Sequence, residues 1–300
     1  MGGYFGGRLA QAGESVAFVA RGAHLEAIRR DGLRVESVAG DFAVSPAEAH
    51  GDPAAVGSVD AVILGVKAWQ VPEAASALRP MLRDDTVILP LQNGVEAADQ
   101  LVAALGPGRV LGGLCRLVSF VAGPGRIRHA GVAPRVELGE LDRRRSDRVE
   151  RLRAAFERCQ GVSVATPEDI RVALWEKFLF IAPFSGVGAV TRMPAGEMRA
   201  VSETRGMLED AMREVFDLAR ARGVALPEGS VERTLRFVDA LPAEATASMQ
   251  RDILEGRPSE LESQTGAVVR LAAEAGVSVP TNRFLYASLL PSERKARGAR

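Results

Sequence analysis

Residues 60–67 read Asp-Ala-Val-Ile-Leu-Gly-Val-Lys, and residues 85–91 read Asp-Thr-Val-Ile-Leu-Pro-Leu. Each run is continuously apolar rather than alternating. That pattern suits a strand covered on both faces, as in a parallel sheet flanked by helices. Pro90 lacks a donor and belongs at the end of its strand. Residues 71–81 and 95–105 have helical spacing. Gln92-Asn93-Gly94 is the turn after the second strand, and Gly106-Pro107-Gly108 ends the second helix. Upstream, residues 15–20 (SVAFVA) predict a strand, residues 23–30 a helix that Gly32 stops, and residues 34–38 with 41–44 a hairpin around Gly40. Downstream, residues 110–121 form a further apolar run. Residues 126–129 and 136–139 read as two antiparallel strands joined through Gly131 and Pro134, 148–156 as a helix, and 162–165 as a last short strand. The alternation predicts an α/β domain with a mostly parallel sheet.

The pattern changes at Thr166-Pro167-Glu168, where a cap residue and a first-turn proline open a series of helices. Helical stripes cover 170–181, 203–222, 231–238 and 244–254. Another helix follows Arg257 and runs to Gly276, and a final one follows Pro280. The expected organisation is therefore an α/β domain over 1–166 and an all-helical domain over 167–300.

Lys plus Arg and Asp plus Glu both number 38, so the net charge is zero. A nucleic-acid partner is not expected, because such a partner selects a basic excess. The basic run Arg143 to Arg145 is followed closely by Asp147 and Glu150 and reads as a solvated helix start. Cys115 and Cys159 sit in apolar surroundings, and the three histidines show no metal-ligand spacing. No secretory leader pattern opens the chain, and no run reaches the ~18 uninterrupted apolar residues of a bilayer span. The expectation is a cytoplasmic protein with no membrane and no metal. A homodimer is left open.

Several positions carry chemistry. Gly2, Gly3, Gly6 and Gly7 precede a helix, and they read as close packing, a flexible end or a phosphate-facing turn. Arg21 follows the strand at 15–20. In a doubly wound domain this point faces the adenosine ribose, where an arginine suits the 2′-phosphate of NADP; a solvated strand end is the other reading. Lys67 and Asn93 stand at the carboxyl ends of the two buried strands, where ligands bind in such sheets; plain loop residues are the other reading. Lys177 lies inside an apolar helix and must snorkel, pair or act on a ligand. A lysine with a tuned pKa can deliver the proton that ketone reduction requires. Ser248 and Asp252 share a helix face. Ser259 and Glu262 have capping-box spacing, which would place Glu260 in the first turn of the next helix.

Together these segments resemble the ketopantoate reductase (2-dehydropantoate 2-reductase) family. The resemblance runs from Gly2 to about Leu290. It rests on Gly2-Gly3-Tyr4-Phe5-Gly6, Val66-Lys67-Ala68-Trp69-Gln70, Gln92-Asn93-Gly94, Leu174-Trp175-Glu176-Lys177, and Ser248-Met249 through Asp252 to Glu260. It implies an N-terminal Rossmann-type domain, a helical C-terminal domain, and an active site in a cleft between them. It also implies NADPH as cofactor and a small 2-keto acid, ketopantoate, as substrate, with (R)-pantoate as product in pantothenate and coenzyme A biosynthesis. Lys177 matches the catalytic lysine that protonates the carbonyl oxygen. Glu260 matches the acid that orients the substrate hydroxyl and supports the lysine. Ser248 matches a carboxylate contact, and Asn93 the asparagine near substrate and nicotinamide. Lys67 matches a lysine on both the cofactor and substrate sides, and Arg21 the arginine for the NADP phosphate, with Gly2 and Gly3 at the nucleotide turn. Asp252 and Ser185 complete the expected substrate set.

Two departures stand out. Ile181 and Ser185 occupy positions where many members carry asparagines. A lost substrate hydrogen bond costs ~1–3 kcal/mol, so another small 2-keto acid, or a non-catalytic nucleotide-binding relative, is the alternative reading. Members also begin with a strand and a Gly-x-Gly-x-x-Gly turn, of which the last glycine corresponds to Gly2. The expectation is a start site lying upstream and encoding that strand, with a genuine truncation as the rival.

Overall fold

The computed structural model describes residues 1–298. The chain divides into two compact units. One comprises Met1–Gln92 with Glu96–Ile170, and the other comprises Asn93–Val95 with the chain from Arg171 onward.

In the first unit, the two buried runs form parallel strands β5 (Val59–Leu64) and β6 (Leu82–Pro90), with Ala61 opposite Val87 and Leu64 opposite Pro90. They follow α1 (Gly2–Gln11), β1 (Ala17–Val19), α2 (Gly22–Asp31), β2 (Leu33–Ser37), β3 (Phe42–Val44) and β4 (Glu48–His50). Val62, Leu64 and Ile88 pack against Val71, Ala75 and Leu78 of α3 (Val71–Leu78) and against Ala98 and Leu101 of α4 (Ala97–Leu105). β1 pairs in parallel with β4. A five-stranded sheet runs β3-β2-β8-β7, with β7 spanning Gly112–Gly123 and β8 spanning Arg126–Gly139; β9 (Ser163–Ala165) pairs with β8. α5 (Asp147–Glu157) buries Val149, Leu152 and Phe156 in the core beneath this sheet.

Some expectations are corrected here. Residues 126–139 are one continuous strand, not two. Pro134 escapes penalty because β2 pairs with Arg126 to His129 and β9 with Arg135 to Glu137, so no neighbour on that side needs its missing donor. On the β7 side the register shifts between Arg116 and Val118 at the same place. The N-terminal glycines lie inside α1 rather than before a helix. A Cβ on Gly3, Gly6 or Gly7 would come within about 3 Å of Ile127, Phe18 or Phe42, so these three serve close packing.

The second unit is helical. It contains α6 (Ile170–Thr191, of which Arg171 onward belongs here), α7 (Ala195–Ala200), α8 (Ser202–Ala221), α9 (Ser230–Asp239), α10 (Ser248–Leu254), α11 (Thr265–Ala275) and α12 (Pro280–Ala296). Its core joins Phe178, Leu179, Phe184 and Val187 of α6 to Leu208, Met212 and Val215 of α8, and to Val268 and Leu271 of α11. α6 is long and apolar enough to cross a membrane, but it is mostly buried inside the protein. The predicted helix after Arg257 starts later than expected: residues 257–264 are loop and turn, and α11 opens at Thr265. Ser259 therefore does not cap it. Its hydroxyl donates to Glu293 instead, at 2.5 Å.

One contact in the first unit fixes the position of α1. A Cβ built on Gly65, just past β5, would lie 2.6 Å from the Gly2 amide nitrogen. Gly65→Ala should therefore destabilise the protein by about 1–3 kcal/mol, the usual cost of forced overpacking. Urea denaturation of the variant and the parent chain measures this.

Candidate active site

Six positions singled out in the sequence fall in the helical unit: Asn93, Lys177, Ser185, Ser248, Asp252 and Glu260. Lys177 is half-buried on α6, and Ile181 and Ser185 follow it at one-turn intervals on the same stripe. Ser248 is the first residue of α10, half-buried, with Asp252 one turn on. Arg257 donates to the Asp252 carboxylate from Nε at 3.1 Å and from Nη2 at 2.8 Å, which ties the exit of α10 to its own last turn.

Glu260 is 5% exposed, and its Oε2 accepts a hydrogen bond from Asn93 Nδ2 at 3.2 Å. The two residues are 167 positions apart. Asn93 follows a strand of the first unit, yet its segment clusters with the second. Gly94 makes that possible. Its φ is +106°, and a Cβ there would stand 2.7 Å from the Ser263 carbonyl oxygen. Within the stripe of α6, Ser185 is fully buried. Its Oγ, the Oγ1 of Thr265 and both amide atoms of Gln264 have no hydrogen-bond partner in the protein. Thr265 shares a predicted helical stripe with Val268 and Ala272, and that stripe is buried; nothing in the sequence marked Gln264.

Of the positions expected on the cofactor side, Gly2, Gly3, Arg21 and Lys67 lie in the first unit and Asn93 in the second. Arg21 is exposed where β1 gives way to α2, and its guanidinium meets Glu73 Oε1 at 3.1 Å. Both side chains are largely in solvent, so the pair adds little stability and the guanidinium stays available to a stronger anion. Lys67 is exposed past the end of β5, with its Nζ 5.7 Å from the centre of the Trp69 ring. Gln92, buried, donates to the carbonyls of Leu64 at 2.8 Å and Val66 at 3.0 Å. It clasps the outgoing ends of β5 and β6, a role the Gln-Asn-Gly motif did not reveal. Gly2 begins α1 directly against Gly65. A helix N-terminus pressed on the carboxyl end of a parallel strand, with no Cβ on either side, fits a dinucleotide pyrophosphate. Gly3 packs against Ile127. These residues fit a nicotinamide dinucleotide: glycines and a helix terminus for the pyrophosphate, and an exposed arginine at the ribose end.

Comparison with known proteins identifies the family. The ketopantoate reductase PanE/ApbA family matches residues 1–143, and the C-terminal part of the same family matches residues 169–292. The chain is 31% identical to 2-dehydropantoate 2-reductase of Nostoc sp. over 294 residues, covering 96% of this chain and 91% of that one. The crystal structure of 2-dehydropantoate 2-reductase from Geobacter metallireducens superposes with a TM-score of 0.89 at 33% identity, covering 96% of this chain and 95% of that one. A D-mandelate dehydrogenase solved with NADH and anilino(oxo)acetate shares the fold, with a TM-score of 0.87 at 21% identity and coverage of 99% and 96%. The chain belongs to the ketopantoate reductase PanE/ApbA family and is an oxidoreductase of the 2-dehydropantoate 2-reductase type.

The Gly94 geometry makes a specific demand. Gly94→Ala should lower unfolding stability by roughly 1–3 kcal/mol, since it forces a side chain into a left-handed conformation against a carbonyl. A denaturation midpoint equal to that of the parent would show that the 93–95 segment can move aside.

Proposed function

We propose that this chain reduces ketopantoate to (R)-pantoate with NADPH in the cytoplasm, as a step of pantothenate and coenzyme A biosynthesis. The observation that carries the reading is the Asn93–Glu260 hydrogen bond. It joins two residues that the family resemblance had assigned separately to one substrate site.

NADPH, when bound, supplies the hydride for the keto carbon. The remaining work falls to side chains. Lys177 donates a proton to the carbonyl oxygen as negative charge develops there. Glu260 orients the substrate hydroxyl and supports the charged form of Lys177. Asn93 holds the Glu260 carboxylate through its Nδ2 and keeps its own carbonyl oxygen as an acceptor. Ser248 donates to the substrate carboxylate from the start of α10, with Asp252 and Ser185 completing the substrate side. On the cofactor side, Gly2 and Gly3 open the helix that receives the pyrophosphate. Lys67 meets an anionic group, and Arg21 exchanges Glu73 for the 2′-phosphate.

A second reading has one observation in its favour. Ile181 puts an apolar side chain on the Lys177 stripe, so an amide contact to a polar substrate is lost there. A different small 2-keto acid with a less polar side group is then the substrate. Steady-state NADPH oxidation across a panel of 2-keto acids separates the two. Turnover of ketopantoate above the others supports the first reading, and preference for a less polar acid selects the second.

Two variants test the roles. Lys177→Ala should lower kcat by roughly 10²–10⁴, the ordinary worth of a positioned acid, while NADPH still binds in a fluorescence titration. Loss of cofactor binding would instead make Lys177 a cofactor contact. Arg21→Ala should raise the KM for NADPH far more than that for NADH, and equal changes would remove Arg21 from phosphate recognition.

A further inference from the structure

Glu260 lies in a stretch of chain that no helix or strand organises. Residues 255–264 form loop and turns between α10 and α11, with Gly256 and Pro258 on its approach. A side chain on such a segment points wherever the loop happens to point, unless something else holds the backbone. Here something does. Glu293, on α12 and only 2% exposed, directs its carboxylate at Ser259, the residue immediately before Glu260. The Ser259 amide donates to both oxygens of Glu293, at 3.1 Å each, and the Ser259 hydroxyl donates to Oε2 at 2.5 Å. Arg297, just past the end of α12, donates to Glu293 Oε1 at 2.5 Å and, through Nη2, to the Ser259 carbonyl at 2.8 Å. The Ser259 hydroxyl also accepts from the Leu261 amide at 3.2 Å.

Every polar group of Ser259 is thus engaged, and most of that engagement traces to one buried carboxylate. The chain leaving Glu260 is held as well. The Glu260 carbonyl accepts from the amides of Ser263 at 3.2 Å and Gln264 at 3.0 Å, and from the Ser263 hydroxyl at 3.1 Å. The helix bearing Glu293 is itself anchored at its other end. Glu214 of α8 accepts from the amides of Thr281 at 2.7 Å and Asn282 at 2.9 Å, and from Asn282 Nδ2 at 2.7 Å. The linkage runs from α8 to α12, then to Ser259, Glu260 and Asn93.

We infer that Glu293 is a positioning residue for the reaction: by fixing Ser259 it sets the direction of the Glu260 carboxylate. The inference rests on the function proposed above. A buried carboxylate that served stability alone would need partners of any kind. This one takes two of its donors from the residue next to Glu260 and is reinforced by an arginine that closes on the same residue. Charge-assisted bonds of this kind are short and directional, which suits them to holding a loop.

Glu293→Gln tests the idea. It preserves size but replaces an acceptor oxygen with a donor, facing Ser259 and Arg297 with the wrong chemistry. At a temperature where circular dichroism shows the variant folded, kcat for the preferred 2-keto acid should fall on the order of 10- to 100-fold, as expected when a reacting group is slightly misplaced. The KM for NADPH should not change. Glu293→Asp, which keeps the charge on a shorter stem, should recover part of the loss. In a Glu260→Gln background, the Glu293→Gln change should cost little more, because its effect runs through Glu260. A Glu293→Gln protein that melts lower yet retains the parental kcat overturns the inference, as does a loss fully additive with Glu260→Gln. If the parent chain reduces no 2-keto acid at all, the functional reading falls and takes this inference with it.

Discussion

A buried carboxylate has to be paired, and the architecture of the helical unit is arranged around that requirement at Glu260. Removing an ionised group from water costs several kcal/mol unless hydrogen bonds replace the lost hydration. Glu260 is almost fully covered and takes a donor from Asn93, which follows β6 along the chain. For Asn93 to reach it, the chain must turn at Gly94 with a conformation that side-chain-bearing residues avoid, and must press its backbone on Ser263. For Glu260 to receive it, an irregular loop must hold still. The strained turn and the clamped loop are two answers to one electrostatic demand.

The same reasoning separates ion pairs that shape the protein from those that decorate it. Arg21 with Glu73 and Arg213 with Glu209 are largely in solvent, where water screens the attraction and little stability results. Glu140 with Arg148 is different. Burial alone would push the Glu140 carboxyl up, but hydrogen bonds from Arg148 and Ser146 hold it below its ordinary value. Glu214 and Glu293 are buried as well, and each accepts hydrogen bonds from backbone amides, at the start of α12 and at Ser259. Three buried acids thus fix the ends of α5, α12 and the Glu260 loop, while the apolar contacts of α6, α8 and α11 supply the bulk of the cohesion.

Much of the fold was readable because its cause is local. β5 and β6 announce themselves through continuous apolar runs, and Gly32, Gly106 and Gly276 mark helix ends by the positive φ each adopts. The misreadings have non-local causes. Gly131 and Pro134 are strong local breakers, yet β8 continues through them because β2 and β9 pair on either side and leave the proline unneeded as a donor. Ser259 and Glu262 match a capping box by spacing, but the serine hydroxyl is claimed by Glu293, 34 positions away. The candidate site divides in the same manner. Lys177 could be noticed because a charge inside an apolar stripe is anomalous in one dimension. Gln92, Gln264 and Glu293 are polar residues in unremarkable surroundings, and only the folded chain shows Gln92 clasping two strand ends or Glu293 gripping Ser259.

The stripe on α6 adds a last constraint. Three positions one turn apart carry a lysine, an isoleucine and a serine, and the serine is wholly covered. Ile181 is apolar and the Ser185 hydroxyl is buried, so this face carries a lysine and an apolar surface rather than a row of hydrogen-bonding amides. In the function proposed above, directional polar contacts to the substrate come from other segments: Asn93 beside its left-handed glycine, Ser248 at the first turn of α10, and Glu260 on the clamped loop. Each of these lies at an element end or in a turn, where backbone position is not fixed by helical hydrogen bonds. A side chain there is only as well aimed as the contacts that hold its segment. The buried network behind Glu260 is therefore as much a determinant of the site's geometry as the residues that face a ligand.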